Sequence, residues 1–479
     1  MSAAHLHLPL YSMGALPQTA AASNGDGKPR PHVLVVPYPA QGHLLPLLDL
    51  VVLLARRGLA VTVAVTPGNV RFLAALPSSV ATVVLPFPST PLLPAGCGEN
   101  TNHLPADLFR PLMASLVALS APLLSWCKAQ PHAVTAIIAD LFMGWTLPLA
   151  QELGVPHVVF LPASVHYLAT TRSLWRRMPT GHDGDERVLH FPELPGSPAF
   201  PWHRLSWLYR MHVAGDEVSE TIRQILLWSL ESSCFVVNSF AALEPSCFED
   251  AMAAKRVFMV GPLSEAAAVR GSKEPTEVTA WLDAFDDGSV VYISFGSQEV
   301  LSPAQAASVA DALRLSSTAA FVWVVRSNTV VPEGFEAATA SRGTVIRGWA
   351  PQLDILRHRA VGWSLTQCGG SSVMEMAAAG VAMLTWPMSA DQFTNAWLLE
   401  EAGVAVPVAE GADAVPDAGK VANAISTAVA SEEGESIRRR AAELGRKAAA
   451  AVAAGGTSYS DLEELVHEVL SDVHVVASS

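Results

Sequence analysis

Two residues able to move a proton stand where apolar runs give way to the next element. His43 lies in PAQGHLLPL, directly after the apolar run HVLVVPYP of residues 32–39, at a strand-to-helix turn. An imidazole there can serve as a general base near neutral pH. A histidine in such a turn also serves as a helix cap or simply faces solvent, so it needs a partner before it counts as a catalytic group. Asp140 closes the run VTAIIAD and should emerge on the same carboxyl edge of the same sheet. A carboxylate bonded to the far ring nitrogen would fix the tautomer and stabilise the imidazolium. The alternative is an aspartate that starts the following helix.

Two further loops have the composition of anion cradles. FGS at residues 295–297 follows a strand-like run, and CGGSS at 368–372 precedes a helix-like one. Glycines let backbone N–H groups approach an anion, and a helix N-terminus adds partial positive charge. The second loop has a plain structural alternative, because Ser372-Val-Met-Glu375 reads as a capping box. Neither loop is GxGxxG and no GxxxxGK[ST] is present, which removes most support for a nicotinamide oxidoreductase or a P-loop NTPase. In HDGDE, Asp183 and Asp185 could chelate a divalent ion, but no strand precedes them and a solvated loop is the favoured reading; no metal is expected.

The elements that must position these residues alternate between strand-like and helix-like segments, once in each half of the chain. HVLVVPYP is a strand, residues 44–58 a helix closed by Gly58, and LAVTVAVTP the next strand, a βαβ opening. VTAIIAD and VPHVVFLP follow. In the second half SVVYISFGS leads to a helix with Ser302 as N-cap and Pro303 at its first position, then AFVWVVR, TVIRGW, VGWSLT and VAMLTWP. The expected architecture is α/β: two Rossmann-like doubly wound domains facing each other across a cleft. The expected divisions are a flexible leader at 1–30, a first domain at 31–260, a polar linker at 261–278, a second domain at 279–456 and a terminal helical segment at 457–479. Ligands of such sheets bind outside the carboxyl ends of the strands.

Composition agrees with this class. Of 479 residues, 50% are hydrophobic and 15% charged, which calls for large buried cores. A net charge of -14 argues against nucleic acid or a basic membrane patch. Cys97, Cys127, Cys234, Cys247 and Cys368 have no CxxC spacing and suit a reducing compartment. No signal peptide and no uninterrupted membrane-spanning run is read, so the expectation is a cytoplasmic protein, as a monomer.

The run from Trp349 to Gln392, WAPQLDILRHRAVGWSLTQCGGSSVMEMAAAGVAMLTWPMSADQ, resembles the signature of plant family 1 UDP-sugar glycosyltransferases that act on small molecules. PYPAQGH, ADLFMGW, VNSF followed by LE, and SFGS occur in that family's order, so the resemblance covers nearly the whole chain from about residue 30. It implies the two-domain glycosyltransferase B fold, with the acceptor held by the first half, the nucleotide sugar by the second, and the C-terminal helix crossing back to the first domain. Position by position it implies that Trp349 stacks on uracil, the backbone of Ala350 pairs with the base edge and Gln352 reaches the ribose. Glu375 would accept from ribose hydroxyls, Ser297 and Ser372 would contact phosphates, and Asp391 and Gln392 would hold the sugar, with Gln392 favouring glucose. His43 and Asp140 match the family's catalytic pair. The resemblance therefore implies inverting transfer of a sugar, glucose first, from a UDP-sugar co-substrate to a hydroxyl of a small apolar acceptor such as a flavonoid or other phenolic, without a metal or other cofactor. Segments 87–105 and 200–212, rich in proline and aromatics, are candidates to line the acceptor pocket or to be ordinary packed loops.

The chain departs from the family at one place. Where the family writes HCGWNS, this chain has Gln367, Cys368, Gly369, Gly370, Ser371 and Ser372. Three donor-contacting positions differ: Gln367 for His, Gly370 for Trp and Ser371 for Asn. Each lost hydrogen bond to a charged group costs about 1.5 to 3 kcal/mol, so weakened donor binding is expected. The alternative is a non-catalytic homologue that binds small molecules with an impaired donor site.

Overall fold

The apolar runs of the first half form β1 (His32–Val36), β2 (Ala60–Val65), β3 (Ala81–Val84), β4 (Ala136–Asp140) and β5 (His157–Leu161). They are seen in a computed structural model that describes residues 30–182, 184, 187–244, 248, 250–263 and 277–471. After a two-stranded antiparallel excursion, β6 (Val188–His190) and β7 (Ala199–Pro201), the sheet is completed by β8 (Cys234–Val237) and β9 (Val257–Met259). Its order is β3-β2-β1-β4-β5-β8-β9, and every pairing is parallel.

Period-two alternation sorts its side chains. Val33 and Val35 face one layer with Leu44, Leu47, Val51 and Leu54 of the helix Gln41–Arg56. Leu34 and Val36 face the other, with Leu168, Ile222 and Ile225. Both faces are covered, which is why the strands read as continuous apolar runs. Each fully buried Val, Leu or Ile contributes about 1.5–3 kcal/mol.

The second half builds β10 (Val290–Ser294), β11 (Ala320–Val325), β12 (Gly343–Arg347), β13 (Val361–Thr366), β14 (Ala382–Thr385) and β15 (Ala405–Pro407). They pair in parallel in the order β12-β11-β10-β13-β14-β15. The expected N-cap is present: Gln305 N–H donates to Ser302 Oγ at 3.3 Å while Ser302 N–H donates to Gln305 Oε1 at 2.9 Å, with Pro303 opening the helix Pro303–Leu315.

Strand order reverses between β1 and β4 in the first sheet and between β10 and β13 in the second. The helices that follow these strands diverge to opposite faces, so each reversal leaves a crevice at the carboxyl edge. His43 and Asp140 flank the first crevice; Ser297 and the Gln367–Ser372 loop flank the second. After the helix Glu432–Val452, the helix Thr457–Glu464 lies against β9, where Asp461 Oδ2 accepts from Met259 N–H at 2.7 Å. Glu463 takes Arg57 at 2.7 Å, and Glu464 and Glu468 take Arg256.

The described residues from Pro31 onward form one compact unit. Residues 1–29 of the expected leader, 264–276 of the expected linker, Asp183 and Asp185, Cys247 and the segment 472–479 lie outside the described residues. Among the described residues one stretch, Ala106–Lys128, is long and apolar enough to cross a membrane by length and composition, with mean hydropathy 1.5. Leu112, Leu116, Leu119 and Leu123 along it are buried in the core.

Candidate active site

β1 stops at Val36 because Pro37 and Pro39 have no N–H to continue the ladder. The chain turns at Ala40 and enters the helix at Gln41, three residues earlier than the hydrophobic periodicity suggests. His43 therefore sits in the helix's first turn and not on a loop. Its Nδ1 lies 2.8 Å from Asp140 Oδ2, with Asp140 fully buried and the imidazole about one-fifth exposed (22%). Asp140 Oδ1 accepts from Phe142 N–H at 2.9 Å, so the carboxylate both caps the following turn and holds the histidine. The two sequence readings of Asp140 coexist in one side chain.

Because a carboxylate only accepts, Nδ1 carries the proton and Nε2 is left as the basic nitrogen. No partner for Nε2 is found among the described residues. The ring is walled by Phe142 at 4.9 Å and by the edge of Tyr38 at 5.6 Å between centroids. Burial pulls the His43 pKa down, but the charge and hydrogen bond of Asp140, with the charge of Asp391, outweigh it and hold the value above the ordinary 6.5.

Across the cleft the helix Gly370–Ala379 begins with Gly369 as N-cap, and no side chain caps it. The capping box expected at Ser372 and Glu375 is not formed, because the helix starts two residues before Ser372 and places it inside the first turn. Cys368, at φ +68°, makes the sharp turn off β13. Gly370 N–H donates to Asp391 Oδ2 at 2.9 Å. Among the described residues no acceptor is found for the N–H groups of Ser371 and Ser372, which leaves an anion-attracting helix end.

Gln367 is buried, with Oε1 accepting from Thr366 Oγ1 at 3.3 Å. Its Nε2 fills the space over Gly296: a Cβ there would lie 2.2 Å away, and Gly296 also has φ +71°. Only glycine meets both demands. Gln367 thus joins the loop holding Ser297 to the loop holding Gly369.

The nucleoside-type residues gather farther along the same edge. Trp349 is 72% exposed, a bare indole at the surface. Ala350 is buried and its carbonyl accepts from Gln352 N–H at 2.8 Å. Gln352 Nε2 donates to Glu375 Oε2 at 2.5 Å while its Oε1 accepts from Tyr292 Oη at 2.8 Å. Near the base, Asp391 Oδ2 also accepts from Asn395 Nδ2 at 2.6 Å, and burial raises the Asp391 pKa above the usual carboxylate range. Gln392 Oε1 is committed to the N–H groups of Met388 and Ser389 at 2.8 and 2.9 Å, and its amide NH2 also donates to the Glu299 carboxylate.

One expected donor residue points elsewhere: Ser371 Oγ donates to the carbonyl of Gly42 at 2.8 Å, on the opposite side of the cleft. Of the aromatic segment 200–212, Trp202, Leu205, Leu208 and Tyr209 are buried in the first-half core, which is the packed-loop reading. A narrow apolar pocket beside β1 and β2 is lined instead by Val36, Pro39, Ala64, Leu85, Leu119 and Met143.

Sequence reasoning missed Tyr38, Phe142, Tyr292, Glu299 and Asn395. Phe142 lies two residues after Asp140, and Asn395 one helical turn after Asp391, so spacing would have found both. Tyr292 and Glu299, whose carboxylate accepts from Ser389 Oγ at 3.2 Å, meet their partners only through the fold.

The model of the UDP-glucoronosyl and UDP-glucosyl transferase family matches residues 258–434. UDP-glycosyltransferase 89B2 of Stevia rebaudiana is 43% identical, over 91% of this chain and 97% of its own length. Flavonol 3-O-glucosyltransferase UGT89B1 of Arabidopsis thaliana is 41% identical, over 93% of this chain and 98% of its own. The crystal structures of Arabidopsis thaliana UGT89C1 complexed with UDP-L-rhamnose and with quercetin superpose with a TM-score of 0.74 at 34% identity, covering 92% of this chain and 100% of theirs. On end-to-end identity of this size, carried by two facing doubly wound sheets, the chain belongs to the plant family 1 UDP-glycosyltransferases.

Proposed function

We propose that the enzyme transfers glucose from UDP-glucose to a hydroxyl of a phenolic acceptor of flavonoid type, inverting the anomeric carbon. The observation that carries this reading is the His43–Asp140 pair, held at 2.8 Å, with no partner for Nε2 among the described residues. The acceptor hydroxyl gives its proton to Nε2, and its oxygen forms the new bond to the anomeric carbon. The bond from that carbon to the diphosphate breaks and its electron pair leaves with UDP. Asp140 stabilises the imidazolium.

UDP is held by Trp349 under the base, Ala350 at its edge and Glu375 and Gln352 at the ribose. Ser297, Gln367, Gly369, Ser372 and the uncapped helix end face the diphosphate, so its developing charge meets N–H groups and needs no metal. Asp391 and Gln392 hold the sugar. Glucose is favoured by Gln392 and by the name of the Arabidopsis flavonol glucosyltransferase; rhamnose is the second candidate because UGT89C1 was crystallised with UDP-L-rhamnose. The phenolic acceptor is supported by that flavonol enzyme and by the quercetin complex of UGT89C1. A cytosolic location fits the unpaired thiols Cys97, Cys127, Cys234 and Cys368, and the proposed form is a monomer.

The test is a matrix of UDP-sugars against phenols, read by UDP release and product mass. Glucosides are expected from UDP-glucose, and His43→Ala should abolish transfer while sparing UDP binding. Absence of UDP release across the matrix, or normal turnover in His43→Ala, overturns the reading.

A further inference from the structure

We propose that Gly370 and Ser371 are positioning residues: they clasp the two halves together and set how closely the donor loop approaches His43. This rests on the transferase reading above. Judged by sequence, the change from HCGWNS removes donor contacts, but both residues have taken up partners on the far side of the cleft.

Gly370 is a buried site of close approach. A Cβ built on it would lie 2.4 Å from the carbonyl oxygen of Pro162 and 3.1 Å from Cα of Ala163. Both are backbone atoms of the segment leaving β5, so no rotamer change relieves the clash. Any side chain at 370, a tryptophan above all, has to push the halves apart.

Ser371 makes the second contact, with the Gly42 carbonyl beside the base. That carbonyl is open for a reason. In a regular helix it would accept from the N–H of residue 46, but the helix Gln41–Arg56 carries Pro46, which has none. Ser371 satisfies an acceptor that the helix itself leaves unpaired. A third tie runs through the sugar side: Ser164 Oγ donates to Asn395 Oδ1 at 3.3 Å, and Asn395 Nδ2 holds Asp391 at 2.6 Å. The loop thus registers the base, the sugar carboxylate and the helix N-terminus on one another.

The experiment compares Gly370→Trp, Ser371→Ala and Pro46→Ala in the full-length protein. Three measurements are made on each: calorimetric UDP titration, kinetics with UDP-glucose, and hydrogen exchange of peptides covering 42–44 and 162–165. Gly370→Trp is expected to lower kcat by roughly 100-fold, the scale of a 1 Å misplacement, and to speed exchange in both peptides, with UDP affinity within about threefold. Ser371→Ala should lose roughly two- to tenfold in kcat, the range of one neutral hydrogen bond, and less in the Pro46→Ala background, where the helix supplies the missing N–H. A rise in kcat/KM for Gly370→Trp with exchange unchanged overturns the clasp. If that variant does not fold, Ser371→Ala decides, and unchanged exchange at 42–44 overturns it. Exchange requires no turnover, so an inactive wild type would refute the transferase reading, while the contact between the halves is judged separately by exchange.

Discussion

Asp140→Asn tests the base and its orienter with the least change of shape. The native side chain is fully buried and uses both oxygens, Oδ2 for His43 Nδ1 at 2.8 Å and Oδ1 for Phe142 N–H at 2.9 Å. Asparagine has one oxygen to offer. Turned toward His43, it leaves its NH2 facing the Phe142 N–H, two buried donors opposed at a cost of about 1–3 kcal/mol. Turned toward Phe142, it satisfies the backbone and presents its NH2 to Nδ1, which must then accept. The second arrangement wins, and it moves the imidazole proton onto Nε2, the nitrogen that has to be basic. The expected loss in kcat is roughly 100- to 10,000-fold, the worth of positioned general-base catalysis, or about 3–5.5 kcal/mol. UDP affinity should be unchanged, since neither atom faces the nucleotide loops.

The pH profile supplies a second reading of the same variant. The base works as the neutral imidazole, so rate is lost as pH falls through the His43 pKa. Burial pulls that pKa down and the Asp140 charge pulls it up and prevails. Removing the charge leaves burial in control, so the acid limb of kcat/KM moves to lower pH even as the plateau drops. Retention of more than about a tenth of wild-type kcat, or an acid limb that stays in place, refutes the assignment.

Three further outcomes follow from other parts of the molecule. Trp349→Ala removes an exposed indole and should leave unfolding unaltered, while UDP affinity by calorimetry drops roughly 5- to 150-fold, the worth of about 1–3 kcal/mol of base stacking; Trp349→Phe should recover most of it. His157 is buried between Thr146 and Ser232 at 2.7 Å each, and burial pulls its pKa from 6.5 to about 3. The unfolded chain therefore binds a proton that the folded one refuses, so stability falls as pH drops below 6.5 and is level above it; in urea titrations His157→Gln should flatten that slope. Gly144→Ala places a Cβ 2.0 Å from the carbonyl oxygen of Ile225, and thermal unfolding should register a loss of about 1–3 kcal/mol or more from overpacking.

Much of the fold is legible in the sequence because doubly wound parallel strands are buried on both faces. HVLVV, AIIAD, HVVFL and VVYIS stand out as apolar runs, and their ends are marked by Pro37, Asp140, Pro162 and Gly296. The short strands β3, β8, β9 and β15 were not legible, since three or four residues give too little period. Helix starts are hidden where no side chain caps them: Ala40 and Gly369 carry no signal, whereas Ser302 does. The capping box at Ser372 was a motif with the right letters in the wrong register.

The sequence by itself determined which chemistry was on offer. Proton transfer needs an imidazole and a carboxylate; Asp140 ends β4 and His43 opens the helix that follows β1, and because those two strands pair side by side the two residues meet at one sheet edge. The tertiary structure alone decided what the altered loop touches. Whether Gly370 and Ser371 face a diphosphate or another segment depends on how two halves pack across a cleft, on contacts more than 200 residues apart that no local pattern encodes. The vacant carbonyl at Gly42 could be inferred from Pro46, but only the fold brings the hydroxyl of Ser371 to it.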